Sequence, residues 1–101
     1  MSVTRNDILL SLQQALLGEI YPSIRMVVFD YNQSLRKFTL RYYLDRESNK
    51  DDFESISCVV GEFLSHFKYT EFEEIKEECI YSLALPSEID ILDGMVYLRK
   101  E

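Results

Sequence analysis

Ser-Ile-Arg-Met-Val-Val-Phe-Asp-Tyr at residues 23–31, followed after a short polar break by Arg-Lys-Phe-Thr-Leu-Arg-Tyr-Tyr-Leu at residues 36–44, is the stretch that decides the fold. Both runs are rich in β-branched and aromatic residues, and Pro22 just ahead of the first discourages continuation of a helix into it. In the second run Phe38, Leu40, Tyr42 and Leu44 alternate with Lys37, Thr39, Arg41 and Tyr43, the period of a strand. Asn32, Gln33 and Ser34 have turn character, so the two strands are expected to pair as an antiparallel hairpin. The turn holds neither Asn-Gly nor Asp-Gly, which leaves the register open, and a slip of one residue would exchange the two faces. The first strand is apolar on both sides, with Ile24, Met26 and Val28 against Val27 and Phe29, so each face of the sheet needs a cover.

Upstream, Thr4 and Asp7 form a capping-box-like start, and Ile8, Leu9, Leu12, Ala15 and Leu16 recur at helical spacing, with Gly18 as a stop. This helix spans about residues 5–17 and carries Leu10 and Leu17 off its apolar stripe. Downstream, Ser48 with Asp51, or Asn49 with Asp52, opens a second helix in which Phe53, Ile56, Val60, Phe63, Leu64 and Phe67 fall on one face. Asp51, Asp52 and Glu54 in its first turn suit the positive end of the helix dipole. Glu71 to Ser82 reads as a strand whose Ile75, Cys79 and Tyr81 share a face with Glu77, a conflict that points to a sheet edge or a bulge. Leu83 to Asp93 contains Pro86 and reads as a loop with room for one helical turn. Asp93-Gly94 then turns into a last strand, Met95 to Arg99.

The order α-β-β-α-β-β predicts a single α+β domain over residues 1–101, a four-stranded, mainly antiparallel sheet with two helices packed on one face. Strand order stays open. The opposite face is left to the 83–93 loop, a partner or a second copy. A chain of 101 residues has room for one core, and an apolar content of 47% with 7 Tyr and 6 Phe supplies it.

Eighteen carboxylates against eleven Lys and Arg give a net charge of -7, which repels a phosphate backbone and steers encounter toward a cationic protein. Direct nucleic-acid binding is therefore disfavoured. Cys58 and Cys79 have no metal or redox spacing and read as buried free thiols. Residues Met1 to Asp7 hold a single Arg, and Gln13 and Gln14 break the apolar stretch that follows, so neither a signal peptide nor a membrane span is expected, and the protein is read as cytoplasmic.

No nucleophile elbow, zinc-protease, P-loop or dinucleotide motif is present, and three glycines are too few for a phosphate cradle. The single histidine, His66, near the end of the second helix reads as a cation at a helix C-terminus. Asp51, Asp52 and Glu54 lack the ligand alternation and turn glycine of a calcium loop. No catalytic residue, metal ligand or cofactor is expected. What stands out is where acids gather: five from Asp45 to Glu54, five from Glu71 to Glu78, and Glu88, Asp90 and Asp93 in the long loop. If that loop folds back toward the end of the second strand, Asp45, Glu47, Glu88, Asp90 and Asp93 form an acidic rim around Tyr43 and Tyr81, with Glu77 and Glu78 beside them. These nine residues are the candidate partner-binding set. A plain solvated acidic surface accounts for the same composition.

The residues Arg41-Tyr42-Tyr43-Leu44-Asp45-Arg46-Glu47, the acidic opening of the second helix, Glu77-Glu78-Cys79-Ile80-Tyr81-Ser82 and Leu92-Asp93-Gly94-Met95-Val96-Tyr97-Leu98-Arg99-Lys100-Glu101 give the chain its likeness to a known group. It resembles the small bacterial immunity proteins of polymorphic toxin systems, particularly contact-dependent growth inhibition. The resemblance implies a cytoplasmic protein that binds one cognate toxin domain, commonly a nuclease, and blocks its active site or its access to substrate. It carries over no binding residue position by position. Two other readings stand beside it: a self-associating adaptor that uses the outer hairpin face, and a small hydrolase working with carboxylates alone. The free chain is expected to be a monomer or a weak homodimer.

Overall fold

The computed structural model describes residues 3–68 and 71–101. Helix α1, Arg5–Ala15, starts at the capping box foreseen for it: the Thr4 hydroxyl accepts from the Asp7 amide at 3.1 Å, and the Asp7 carboxylate accepts from the Thr4 amide at 2.9 Å. Helix α2, Lys50–Leu64, selects Asn49 with Asp52 from the two cap pairs on offer. The Asn49 side chain accepts from the Asp51 and Asp52 amides at 2.9 and 3.2 Å. Ile56, Val59, Val60 and Phe63 form the buried stripe of α2. Phe53, expected on that stripe, is instead 43% exposed. The first turn is anchored by the fully buried Asp52, which turns the neighbouring position toward solvent.

The strands are β1 (Ile24–Asn32), β2 (Lys37–Leu44), β3 (Glu74–Tyr81) and β4 (Gly94–Leu98), in the spatial order β3-β2-β1-β4. β1 pairs antiparallel with β2 and with β4, whereas β2 pairs parallel with β3, so the sheet is mixed. Helix α2 is the reason: it carries the chain from the end of β2 back to the end of the sheet at which β2 began, so that β3 starts beside Lys37 and runs the same way. In β1 a bulge between Ile24 and Met26 lets Ile24 and Val27 both join the core, which strict alternation forbids. β3 lies at the sheet edge, and there the conflict over Glu77 resolves. Aligned with Leu40, Glu77 sits half-buried at the margin of the helix side and accepts from the Ser57 hydroxyl at 2.6 Å.

Both helices pack on one face. The core between them and the sheet contains Phe38 stacked on Phe63 at 4.5 Å between ring centres, with Phe72 against both and Tyr42 fully buried. Leu10 and Leu17 lie outside it, exposed. The expectation of two buried thiols is corrected: Cys58, on the outward side of α2, is exposed. Cys79 is half-buried, and burial pushes its thiol up to about 12. On the opposite face Met26, Val28, Tyr43 and Ile89 form a second, smaller buried group with Leu92 against it. Residues 82–93, with a 3-10 turn at Pro86–Glu88, thus supply the second cover that β1 demands. Gly94 enters β4 where a side chain would not fit: a Cβ there would stand 2.8 Å from the Phe29 ring.

Candidate partner-binding face

The 82–93 segment crosses the sheet on a defined path because it is pinned at its two ends. Ser82 donates its amide to the Leu44 carbonyl at 3.0 Å, and its own carbonyl accepts from the Arg25 guanidinium at 2.7 Å. Ile89 packs against Met26, Val28 and Tyr43, and the Tyr43 hydroxyl donates to the Asp90 carbonyl at 2.7 Å. Arg41 in turn donates to the Tyr43 oxygen at 2.9 Å. Leu92 adopts φ 54, a left-handed conformation costly for a branched side chain, while its amide donates to the Asp90 carboxylate at 2.9 Å. The Asp93 amide donates to the Phe29 carbonyl at 3.0 Å, the Asp93 carboxylate accepts from the Tyr31 amide at 2.7 Å, and the Arg5 guanidinium donates to the Asp93 carbonyl.

The acids divide into those given a cation by the fold and those left without one. Along β3 the run is matched across the strand pair: Arg36 with Glu73, Lys37 with Glu74 and Arg41 with Glu78, at 2.9, 3.4 and 2.8 Å. At the open end of the hairpin Arg99 bridges Asp45 and Glu101, and the buried Arg25 meets Glu101 through two bonds of 2.8 Å. Those two guanidinium groups hold the Glu101 carboxyl well below its usual range, down to about 2. Asp7, Glu19, Asp30, Glu47, Asp51, Glu71, Glu77, Glu88, Asp90 and Asp93 have no ion pair among the described residues, and of these Asp30, Glu88, Asp90 and Asp93 lie around the crossing segment. The Asp30 carboxyl is pushed above its ordinary value by lost hydration, then by hydrogen bonding to Asp93 and the charge of Asp93, which outweigh the opposing charge of Arg41.

Of the nine residues singled out from sequence, Asp45, Glu78, Glu88, Asp90 and Asp93 gather around the crossing segment or the sheet face beneath it, and Glu47 is exposed just beyond the end of β2. Tyr43 belongs to the same face but is 5% exposed, so it positions the segment from below. Glu77 and Tyr81 align with Leu40 and Leu44 and stand on the helix side of β3, away from the others. Sequence reasoning missed Asp30, which shares the rim, and the exposed Leu83, Leu85 and Ile91 of the segment itself. Their signal was present as apolar residues interleaved with acids in a stretch too irregular to bury them.

A second polar group lies on the other side of the molecule, by an open cleft of about 460 Å³ between Tyr21, Arg46, Asn49 and Ser55. Asp52 accepts there from Arg46 at 2.7 and 3.0 Å, from the Tyr21 hydroxyl at 2.5 Å and from the Asn49 amide at 2.8 Å. The Arg46 guanidinium, more than any other neighbour, holds its carboxyl down to about 2. An acid so fully bonded and ionised is a fastening between α2 and the hairpin end, with no proton to give near neutral pH. His66 likewise ties helix to helix, its Nδ1 lying 2.5 Å from the Ser11 hydroxyl of α1. Among the described residues no group of three or more His, Cys, Asp or Glu is placed to hold a metal ion, and no helix is long and apolar enough to cross a membrane.

A family model of the MafI2 immunity proteins matches residues 5–101. The chain belongs to the MafI2 immunity protein family. The match takes in both helices and all four strands, including the crossing segment and the Glu101 latch, so the resemblance read from the hairpin and the C-terminal strand extends over the fold. Membership in the MafI2 family supports an immunity function and implies the binding of a cognate toxin. No curated protein matches the chain.

Proposed function

We propose that this MafI2 family member neutralises a cationic, nuclease-type toxin domain by covering its active or substrate-binding surface. The observation that carries the reading is the set of carboxylates gathered around the crossing segment, Asp30, Glu88, Asp90 and Asp93, none of which has an ion pair among the described residues. A nuclease must present Lys and Arg to a polyanion, and carboxylates held on a protein surface can occupy the same groove in its place. Glu47 would extend the negative field, Asp45 and Glu78, already paired with Arg99 and Arg41, would border it, and Tyr43 holds the segment in place beneath it. Glu77 and Tyr81, on the helix side of β3, would then serve at the margin. The protein works by attraction and shape, in the cytoplasm where an incoming toxin would act, and the free chain is a monomer or weak homodimer.

Mixing the chain with the toxin domain encoded beside its gene tests this directly. A one-to-one complex should form and suppress cleavage of nucleic acid, and association should slow as salt rises. Changing Glu47→Gln, Glu88→Gln and Asp90→Asn together should lower the association rate about tenfold at low salt, with a flatter salt dependence. A verified toxin that is neither bound nor inhibited would refute the proposal.

A further inference from the structure

We infer that the toxin domain docks on the sheet face crossed by residues 82–93, and that its contact surface sets apolar side chains beside Lys or Arg. This rests on the immunity reading above and adds the place and the chemistry of contact. Ile80, Leu83, Leu85, Ile91, Met95 and Leu98 are all exposed, between 36% and 72%. β-pairing puts Ile80 opposite Tyr43, Met95 opposite Val28 and Leu98 opposite Met26, all on this face, and the remaining three belong to the segment lying over it. The exposed apolar residues of the helix side, Leu10 on α1, Leu17 beyond it, Phe53 on α2 and Tyr81 at the end of β3, are spread over four separate parts of the chain. An apolar surface bordered by polar residues is how a protein contact site presents itself.

Charge chooses the occupant. Among the described residues Asp30, Glu88, Asp90 and Asp93 gather here with no ion pair, whereas Glu73, Glu74 and Glu78 at the β3 edge are already paired with Arg36, Lys37 and Arg41. A second copy placed symmetrically on this face would bring a further set of unmatched carboxylates to the same interface. A cationic partner relieves that repulsion. The backbone bonds of Ser82, Asp90, Leu92 and Asp93 hold the segment before contact, so little ordering remains to be done on binding.

The full chain and the toxin domain encoded beside its gene provide the test. Leu85→Ser with Ile91→Ser should weaken binding about tenfold or more, while Leu10→Ser on α1 with Leu17→Ser just beyond it should leave it within about twofold. Hydrogen exchange on the unmodified chain needs no substitution, and toxin should slow exchange in residues 80–98 and leave α1 unchanged. Wild-type binding with equal affinity for both variant pairs, or protection confined to the helices, would overturn the docking face while leaving the immunity reading intact. Failure of the wild-type chain to bind at all would overturn the immunity reading itself. A free-chain dimer, seen by sedimentation and dissolved by Leu85→Ser with Ile91→Ser, would assign the face to a second copy and also overturn the inference.

Discussion

The two sides of the sheet solve the same problem, covering an apolar strand, in opposite ways. The helix side buries Phe38, Phe63, Phe72 and Tyr42 under two capped helices, and its one fully buried acid, Asp52, is given a guanidinium, a phenol and a backbone amide. The other side buries a smaller group, Met26, Val28, Tyr43 and Ile89, beneath a single segment, which leaves its own leucines exposed and, among the described residues, its acids Glu88, Asp90 and Asp93 without an ion pair. Stability is concentrated where the helices lie, and interaction potential is concentrated where they do not. The division can be broken by acting on one side at a time.

The largest effect should come from Phe63→Ala. It removes the ring stacked on Phe38 and packed against Phe67 and Phe72, at a cost of about 4 kcal/mol in unfolding by denaturant. Toxin affinity of the fraction that remains folded should not change. Loss of affinity at full folding would mean the two sides are not separable.

Asp52→Asn comes next, at roughly 2 kcal/mol, with a pH signature of its own. The folded carboxyl titrates near 2 against an ordinary value of 3.8, so its contribution is complete above about 4 and disappears as pH falls through 2. Acid unfolding of the wild-type chain should therefore steepen across that window, and the Asn variant should lack that component. Equal acid sensitivity in the two proteins would remove Asp52 from the account of stability.

That Asp52 faces inward was only half legible in the sequence. The Asn49–Asp52 spacing announced a capping box, and hydrophobic periodicity announced both helices and the hairpin, because those signals are local. The partner Arg46 precedes the helix in a turn, and nothing in its neighbourhood says that it folds back on the cap. The same limit governs the parallel pairing of β3 and the burial of Tyr43. Alternation along β2 placed Tyr43 on the non-helix face, but its burial depends on Ile89 and Asp90 arriving from 46 and 47 residues away. The acids were legible as a count. Which of them the fold would neutralise depended on strand order, and β3 beside β2 put Glu73, Glu74 and Glu78 against Arg36, Lys37 and Arg41.

On the thinner side, Ile89→Ala should cost about 1–2 kcal/mol, at or below the low end for a buried isoleucine, because a single covering segment can settle into the space. The change should show most in local opening: amide exchange of residues 82–93 should accelerate while α2 stays protected. Toxin affinity should fall with it, through the lost preorganisation of Leu85 and Ile91 and with no contact removed directly. Uniform acceleration across the whole chain would show that this segment is part of one cooperative core.

The smallest change in stability, and one of opposite sign, belongs to Asp30→Asn. The folded Asp30 carboxyl titrates above its ordinary 3.8 because of lost hydration and the proximity of Asp93, so the folded state disfavours its ionised form. Such a group favours folding below its unfolded value and loses that advantage as pH rises through its folded value, so at neutral pH it counts against stability. Replacing it with Asn should therefore stabilise the chain at neutral pH, by no more than about 0.5 kcal/mol for an exposed side chain, and the gain should vanish in acid. Toxin association should slow in the same variant, since one unmatched charge is gone from the docking face. A variant more stable and slower to bind is what a surface arranged for a cationic partner requires; one that is more stable and binds as before would place Asp30 outside that surface.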